Sequence, residues 1–270
     1  MTTDAKRSPP AKPAPARAPA VTRAISILKV LGESSHPLGV NAIARAIDAV
    51  PSSCLHILRA LVEEGMVHVD GRTKQYSLGL GLLMLARDMA GRSQFAQAVQ
   101  PELERLARDH SVTATAVEMD ARERLVVVAL AQAPTLWRLQ VGLGVRVPAF
   151  ISATGRCVAA YSGLDNAELA SRFSRLKWDS PPDVETWLAE VKLARSTGIA
   201  VDVGQYTAGL TVVAALLPPL GDERQSVSVV GLSDKISSRD LARLKRATRV
   251  AALRVAGLLD PNRTCSQLDR

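Results

Sequence analysis

The chain has few aromatic residues, few cysteines and no long apolar run, and each scarcity excludes a class of protein. Phe, Trp and Tyr make up only 3% of the 270 residues, so aliphatic side chains must form the cores. Apolar runs such as Val126–Leu130 and Val212–Leu217 are far shorter than the roughly 20 residues of a membrane-spanning helix. The three cysteines, Cys54, Cys157 and Cys265, form no CxxC pair, which argues against a disulfide framework and favours a reducing cytoplasm.

Sequence motifs for catalysis and for metal or nucleotide binding are also missing. The chain contains no G-x-S-x-G, no phosphate-binding P-loop and no H-E-x-x-H, and its four histidines lack metal-ligand spacing. The Gly79/Gly81 and Gly142/Gly144 pairs lack the third glycine of a dinucleotide-binding motif and are more typical of turns. Cys157 has no histidine near it in the sequence, which favours a buried structural cysteine over a nucleophile. We therefore expect no enzyme activity, no cofactor and no metal.

Length and charge indicate a two-domain protein with a basic N-terminal third. Chains of this length typically hold about two domains, and a hydrophobic fraction of 47% is that of a globular protein. The formal net charge is +8, and residues 1–93 contain 12 basic and 7 acidic residues. Much of that excess lies in residues 1–20, which we expect to be a disordered Pro- and Ala-rich tail rather than a signal or transit peptide. A second tail is expected over 261–270.

Residues 21–79 have the hydrophobic pattern of a winged helix-turn-helix domain. Apolar residues recur at three- and four-residue spacing in three segments, which predicts three helices. The spacing then changes to two residues on either side of Asp70-Gly71, which predicts a β-hairpin with Arg72 and Lys74 at its tip. Helical spacing resumes over 80–93, so this segment is expected to be a linker helix.

The remainder, residues 94–260, mixes helices and strands without the regular repeat of a parallel βαβ fold. The predicted strands are Val112–Met119, Leu125–Ala131, Leu136–Val141, Val145–Val147, Ile199–Val203, Leu210–Leu217 and Val227–Leu232. The predicted helices cover about 96–110, 153–162, 166–173, 184–196 and 237–259. We therefore expect an α+β domain built around a largely antiparallel sheet.

The residues expected to contact double-stranded DNA lie on the exposed side of the first domain. They are Arg45, Ser52, Ser53, His56, Arg59, Arg72 and Lys74. The third helix would enter the major groove with its serines and histidine facing base edges, because its apolar residues occupy the opposite side. The cations of the domain would meet phosphates. Two simpler interpretations stay open: the serines cap the helix, and any single cation is an ordinary surface charge.

Several segments resemble the isocitrate-lyase-regulator (IclR) family of transcription factors. In the first domain, Val21–Leu28, Pro51–Leu61 and Tyr76–Gly79 are similar to that family's opening helix, recognition helix and wing exit. In the second domain, the matching segments are Ala153–Arg156, Gly198–Asp202, Ala208–Leu210 and Ser228–Gly231. The resemblance covers about residues 21–260 and is more specific in the first domain than in the second.

This resemblance implies a DNA-binding homodimer, which in many members pairs further into a tetramer. The implied fold class is α+β: an N-terminal winged helix-turn-helix joined by a linker helix to a GAF-like α/β effector-binding domain. The family's effector-binding residues correspond to Ala153, Thr154, Asp202, Gly209, Leu210, Val212, Ser228 and Val230. A small organic acid bound there would alter the placement of the two recognition helices and so the binding of a pseudo-palindromic operator.

The chain departs from the family pattern at positions that bear on both sites. Ser52 and Ile57 stand where the family usually or often has a basic residue, which shifts DNA binding towards the hairpin, Arg45 of the second helix and the N-terminal tail. Val212 and Val230 replace residues that are often Cys and Ser, and Gly204-Gln205 stands where acidic residues are common. A less polar pocket favours an aromatic or other larger apolar acid over a two- or three-carbon acid.

Two other functions remain open from the sequence alone. One is an enzyme that converts a small acid and retains a vestigial helix-turn-helix, since folding can bring scattered catalytic residues together. The other is a DNA or RNA binder without an effector, for which the second domain would have a closed core. The missing catalytic motifs argue against the first function, and the leading expectation is an effector-controlled regulator of transcription.

Overall fold

The structure, a computed structural model, describes three stretches of the chain: residues 18–134, 141–217 and 225–260. Only the backbone is described over 88–92. The chain forms two compact units, one ending at Met89 and the other beginning at Ala90. The predicted C-terminal tail, the first 17 residues of the predicted N-terminal tail and nearly all of the predicted strand Leu136–Val141 lie outside the described residues.

The first unit is a helical bundle with a small three-stranded sheet. Its elements are α1 (Pro19–Glu33), β1 (Leu38–Gly39), α2 (Val40–Ala46), α3 (Pro51–Glu63), β2 (Val67–Val69), β3 (Gln75–Leu78) and most of α4 (Gly81–Arg92), which extends past Met89. The strands are antiparallel in the order β1-β3-β2. Ile27, Ile43 and Leu58, from the first three helices, are completely buried together against Val67 and Tyr76. This arrangement is the winged helix-turn-helix that the hydrophobic pattern predicts.

Three local features of this unit differ from the sequence prediction. α1 begins at Pro19, two residues early, because proline in the first helical turn loses no hydrogen bond. The strand β1 is missed because two residues are too few to show a period. Neither Ser52 nor Ser53 caps α3: the cap position is Val50, and no side chain makes a cap bond there. The capping interpretation of the two serines is therefore wrong, since the helix starts on Pro51 instead.

The second unit is a six-stranded antiparallel sheet with helices on both faces. Its helices are α5 (Gln94–His110), α6 (Ser152–Ala160), α7 (Asn166–Phe173), α8 (Val184–Thr197) and α9 (Ser238–Leu259). Its strands are β4 (Thr113–Met119), β5 (Arg124–Gln132), β6 (Arg146–Pro148), β7 (Ile199–Val203), β8 (Leu210–Leu216) and β9 (Gln225–Leu232). The strand order is β6-β5-β4-β9-β8-β7, and every neighbouring pair is antiparallel. The predicted fold class is thus confirmed.

The two faces of this sheet are chemically different. One face carries small apolar residues such as Ala114, Val213 and Val229, which pack against α5 and α9 in a closed core. The opposite face, which we call the α6 face, packs against α6 and α8 through residues such as Ala200 and Ala214. Because successive residues of a strand point to opposite sides, the alternate positions of β4 and β9 place threonines and serines on the α6 face.

Short polar side chains fix where several helices of the second unit begin. Ser93, Asp165 and Asp183 each accept a hydrogen bond from the backbone amide three residues further along. Ser237 and Asp240 form a reciprocal capping box at the start of α9. These caps explain why the helix starts could be predicted from the sequence to within two residues.

α6 approaches the preceding segment so closely that only glycine fits at position 155. A β-carbon on Gly155 would lie 2.1 Å from the carbonyl carbon of Phe150. The chain turns sharply into α6 at Ser152, whose φ of +60° is uncommon for a residue other than glycine. The amide of Gly155 then donates to the carbonyl oxygen of Ile151 at 2.8 Å, which closes the first turn.

Replacing Gly155 with alanine should destabilise the second unit by about 2 kcal/mol or more, because the added methyl group forces two backbone segments apart. Urea unfolding of the full-length protein measures the change. Gly142→Ala is the matched control, since a β-carbon there would meet only Cγ2 of Val145 at 3.7 Å. Equal stability of the two variants would contradict the close approach of α6.

Candidate DNA-binding surface and effector site

The outer side of α3 carries the polar residues predicted to read DNA. Ser52, His56 and Arg59 are spaced by four and three residues, which places them on one side of the helix, and all three are exposed. Ser53 is half-buried beside them. Leu58 is completely buried on the opposite side, so packing of the helix holds the polar side outward.

The turn between β2 and β3 is held by Asp70. Its Oδ1 accepts hydrogen bonds from the backbone amides of Arg72 at 2.8 Å and Thr73 at 2.7 Å. Both bonds lower the pKa of Asp70 below its ordinary value, and the bond from the amide of Thr73 has the larger effect. The carboxylate therefore stays ionised at neutral pH and fixes the backbone of a tip on which Arg72 and Lys74 are exposed.

The cations of this unit are not neutralised by neighbouring acids. Arg45 is exposed in the last turn of α2. Within the residues that the structure describes, Arg45, Arg59, Arg72 and Lys74 have no carboxylate within 4 Å. Their charges are therefore free to attract phosphates, while the hydroxyls and imidazole of α3 can hydrogen-bond base edges.

In the second unit, strand pairing brings predicted effector residues together on the α6 face. Residues directly opposite each other in antiparallel strands share a face, and the register sets Asp202 beside Val212 and Val212 beside Val230. Thr113 of β4 completes this row on the far side of Val230. Ser228 precedes Val230 by two residues and therefore lies on the same face in the next row.

This row is less well covered than the rest of the sheet. Val212 and Val230 are half-buried, although they lie in interior strands of a six-stranded sheet. Val213 and Val229, their neighbours on the opposite face, are at most 1% exposed. The helices of the α6 face thus leave two apolar side chains partly open, as expected for the wall of a ligand site.

Hydroxyl groups lie directly beside this opening. Oγ1 of Thr115 and Oγ of Ser228 are 2.8 Å apart and buried. Oγ of Ser226, two residues before Ser228 in the same strand, is buried and has no hydrogen-bond partner in the described part of the chain. A buried hydroxyl without a partner is uncommon, so the α6 face retains unused hydrogen-bonding capacity.

α6 brings Ala153 and Thr154 to the same face. Both lie in its first turn and are buried. The helix is anchored on β8, where Sγ of Cys157 donates to the carbonyl oxygen of Ala214 at 3.4 Å. Ala214 pairs with Ser228, so the start of α6 and the hydroxyl row belong to one neighbourhood.

A completely buried arginine, Arg156, lies beside Asp202 at one end of this row. Nε of Arg156 donates to Oε2 of Glu190 at 2.7 Å, and its Nη2 donates to Oε1 of Gln205. Its Nη1 lies 3.7 Å from Oδ2 of Asp202 and makes no hydrogen bond within the described residues. The guanidinium also lies 5.5 Å from the ring centre of Trp178. A cation with one unused donor therefore stands beside the predicted effector residue Asp202.

Asp202 also shapes the loop between β7 and β8. Its Oδ1 accepts from the amides of Gln205 at 2.9 Å and Tyr206 at 3.3 Å. Gly209 is exposed in this loop with a φ of +78°. Leu210, which begins β8, is half-buried and points to the same side as Val212. Gly209 thus lies in the loop, apart from the row of Asp202, Val212 and Val230.

The sequence prediction misses four residues of this neighbourhood: Thr113, Thr115, Ser226 and Arg156. The alternation T-A-T-A in β4 indicates that the two threonines share a side, but not which side faces α6. Arg156 follows the Thr154-Gly155 motif directly, yet no local pattern indicates that its charge is buried.

The described residues contain neither a cluster of metal-binding side chains nor a helix suited to a membrane. No group of three or more His, Cys, Asp or Glu side chains that could hold a metal ion occurs among them. No helix in the same stretches is long and apolar enough to cross a membrane.

Two family models match the chain, and between them they cover most of it. The IclR helix-turn-helix domain matches residues 20–71, and the bacterial transcriptional regulator IclR C-terminal domain matches residues 88–256. The chain belongs to the IclR family. The sequence resemblance is thereby confirmed, and with it a DNA-binding regulator of transcription with a ligand-binding C-terminal domain.

Curated relatives of this IclR-family chain are distant but extend over most of its length. The transcriptional repressor AllR of Escherichia coli is 23% identical over 224 residues, 82% of each chain. The transcriptional regulator TtgV of Pseudomonas putida is 25% identical over 202 residues, 73% of this chain and 75% of that protein.

Solved structures of IclR proteins have the same fold. An IclR regulator from Alicyclobacillus acidocaldarius superposes with a TM-score of 0.79 at 25% identity, over 90% of this chain and 99% of the other. An IclR homologue from Microbacterium hydrocarbonoxydans, complexed with 4-hydroxybenzoate, superposes with a TM-score of 0.75 at 17% identity, over 89% and 98% of the two chains.

Cys157 has the environment of a structural residue. It is 1% exposed, and burial raises the pKa of its thiol to about 12, although hydrogen bonds from the backbone and the charge of Arg156 act in the opposite direction. The thiolate, which is the nucleophilic form, is therefore not populated near neutral pH.

We expect iodoacetamide at pH 8 to leave Cys157 of the folded protein unmodified, because the thiol is both protonated and inaccessible. Peptide mass spectrometry reads the modification, and the same reaction in guanidinium chloride is the positive control. Labelling of Cys157 before unfolding would contradict its structural role.

Proposed function

We propose that this protein is a transcriptional regulator that binds pseudo-palindromic duplex DNA as a homodimer and responds to an aromatic carboxylic acid. DNA is contacted by α3, by Arg45 of α2 and by the β2–β3 turn. The acid binds on the α6 face, against Val212 and Val230. The observation that carries the proposal is this partly open pair of valines in the interior of a sheet whose other face is sealed.

The apolar wall supports an aromatic rather than a very small acid. A ring can cover two neighbouring valine side chains and remove their remaining surface from water, whereas glyoxylate or pyruvate has too little apolar surface to do so. The 4-hydroxybenzoate complex of the Microbacterium hydrocarbonoxydans homologue supports the same ligand class.

The polar groups around the wall support a carboxylate. Thr115 and Ser228 offer hydroxyls, and Arg156 places a buried cation beside Asp202. Asp202 is buried, and its negative charge would repel the carboxylate of the bound acid. The positive charge of Arg156 offsets this repulsion. With Glu190 and Asp202 around one guanidinium, the neutral hydroxyls are the better partners for the acid, and Arg156 chiefly screens Asp202 from it.

Regulation then follows from differential affinity. The acid can change operator binding only if it binds more tightly to one of two conformations of the dimer than to the other. Two copies of α3 in a symmetric dimer would read two half-sites in successive major grooves, which is why the operator should be pseudo-palindromic. Association of two dimers into a tetramer remains part of this proposal.

For the DNA half, His56→Ala should weaken binding to the operator much more than binding to unrelated DNA, because a base-edge contact supports sequence discrimination. Arg72→Ala and Lys74→Ala should weaken binding to both DNAs. Each should also lower the number of counterions released on binding, read from the salt dependence of the affinity, by about one. Fluorescence anisotropy with the promoter region flanking the gene, over a range of salt concentrations, measures both effects.

Lys29→Ala is the control for these variants, because Lys29 is an exposed cation of α1 outside the proposed surface. It should leave affinity and salt dependence unchanged. The DNA assignment fails if the wild-type protein gives no anisotropy change even at low salt, with or without candidate acids.

For the effector half, Thr115→Val and Ser228→Ala should each raise the Kd for 4-hydroxybenzoate by about tenfold, because each removes a buried hydroxyl that would hydrogen-bond the ligand. Isothermal titration calorimetry of the full-length dimer measures the change. Thr248→Val is the matched control: Thr248 is equally buried but belongs to α9, on the opposite side of the sheet.

The identity of the acid is tested separately with the wild-type protein. Benzoate and 4-hydroxybenzoate should bind more tightly than glyoxylate or pyruvate. Tight binding of the two small acids, with no response to the aromatic ones, would overturn the proposed ligand class while leaving the DNA half intact.

A further inference from the structure

A cavity opens in the second unit, between the β4–β5 turn and α7. Its volume is about 550 Å³, and its lining includes Arg122, Arg124, Arg172 and Arg175 together with Phe150. None of the residues assigned above to the effector lines it. Cavities of this size accommodate small metabolites. We call it the α7 pocket.

The α7 pocket carries an excess of positive charge. Its two carboxylates, Glu123 and Glu168, are both engaged by Arg172: Nη1 pairs with Glu123, and Nη2 lies 3.7 Å from Oε1 of Glu168. The other three arginines of the pocket have no carboxylate within 4 Å in the stretches that the structure describes. Like charges gathered around one cavity repel each other, and a bound anion would relieve that repulsion.

The turn that carries two of these arginines is fixed before any ligand binds. Oδ1 of Asp120 accepts from the amides of Arg122 at 2.8 Å and Arg124 at 2.9 Å. The backbone amide of Glu123 donates to the carbonyl oxygen of Asp120 at 3.0 Å, and Glu123 adopts a φ of +54°. A preformed turn reduces the conformational entropy that ligand binding must overcome.

On the opposite wall, α7 presents Arg172 against an aromatic ring. The guanidinium carbon of Arg172 lies 5.3 Å from the ring centre of Phe150, which is 5% exposed. Stacking and the two carboxylates hold this arginine in place, so its charge stays at the pocket while its donors are largely used. The accessible donors are therefore those of the β4–β5 turn and of Arg175.

We propose that the α7 pocket binds a small polyanion with at least two oxyanion groups, as a ligand site separate from the one on the α6 face. Guanidinium groups bind phosphate and carboxylate oxygens through paired, nearly parallel hydrogen bonds. Three arginines with no carboxylate within 4 Å among the described residues, on two walls of one cavity, match a ligand whose charges are spread over more than one group. Phosphorylated metabolites and di- or tricarboxylates share this chemistry.

The full-length protein is titrated calorimetrically with pyrophosphate and, in a second series, with citrate, at constant ionic strength. Acetate serves as the singly charged comparison. We expect saturable binding of one or both polyanions and none of acetate. Whichever polyanion binds more tightly distinguishes a phosphate ester from a polycarboxylate as the natural class.

Arg124→Ala and Arg175→Ala should each weaken polyanion binding by about tenfold or more, because each removes a charged donor. Glu123→Gln should strengthen it, since the pocket loses a negative charge and Arg172 loses a competing partner. These opposite signs separate binding at the pocket from a general loss of folding.

Two further variants localise the binding. Arg195→Ala, which removes an exposed arginine of α8, and Arg72→Ala, which alters the proposed DNA surface, should both leave polyanion affinity unchanged. The proposal is overturned if neither polyanion saturates, if Arg124→Ala and Arg175→Ala bind as tightly as wild type, or if the loss is the same with Arg195→Ala. These outcomes do not depend on whether the aromatic-acid proposal holds.

Discussion

The burial of one charge organises the second unit. Arg156 has no exposed surface, and an unpaired guanidinium in that position would cost several kcal/mol. Its partners come from separate parts of the chain: Glu190 from α8, and Asp202 and Gln205 from the end of β7 and the following loop. α6, α8 and that loop must therefore assemble together around the guanidinium. The same charge also allows Asp202 to be buried next to the valine row.

The sheet supplies the second constraint, because its two faces serve different purposes. Small apolar residues on one face allow α5 and α9 to seal it, and Val213 and Val229 lose essentially all contact with water. On the α6 face, the helix is anchored on β8 by the hydrogen bond from Sγ of Cys157 to the carbonyl oxygen of Ala214. The row of Val212 and Val230 on the same face keeps part of its surface open.

Local patterns in the sequence predicted the elements, whereas long-range pairing determined the site. α7 and β7 have the predicted bounds, because caps and alternation act within a few residues. Thr115 was missed because its partner Ser228 is 113 residues away, and only the register of β4 with β9 brings them together. The partners of Arg156 are likewise 34 and 49 residues distant. Such contacts depend on topology, which hydrophobic periodicity does not encode.

Net charge is a poor guide to function here, because arginines of the same fold have different roles. Arg156 and Arg172 are matched by carboxylates and serve mainly to hold elements together. Arg59 on α3 and Arg124 in the β4–β5 turn have no such partner within the described residues, and each stands where an anion could approach. The balance of +8 counts all four equally, so only the positions of acidic neighbours separate structural arginines from those available to ligands.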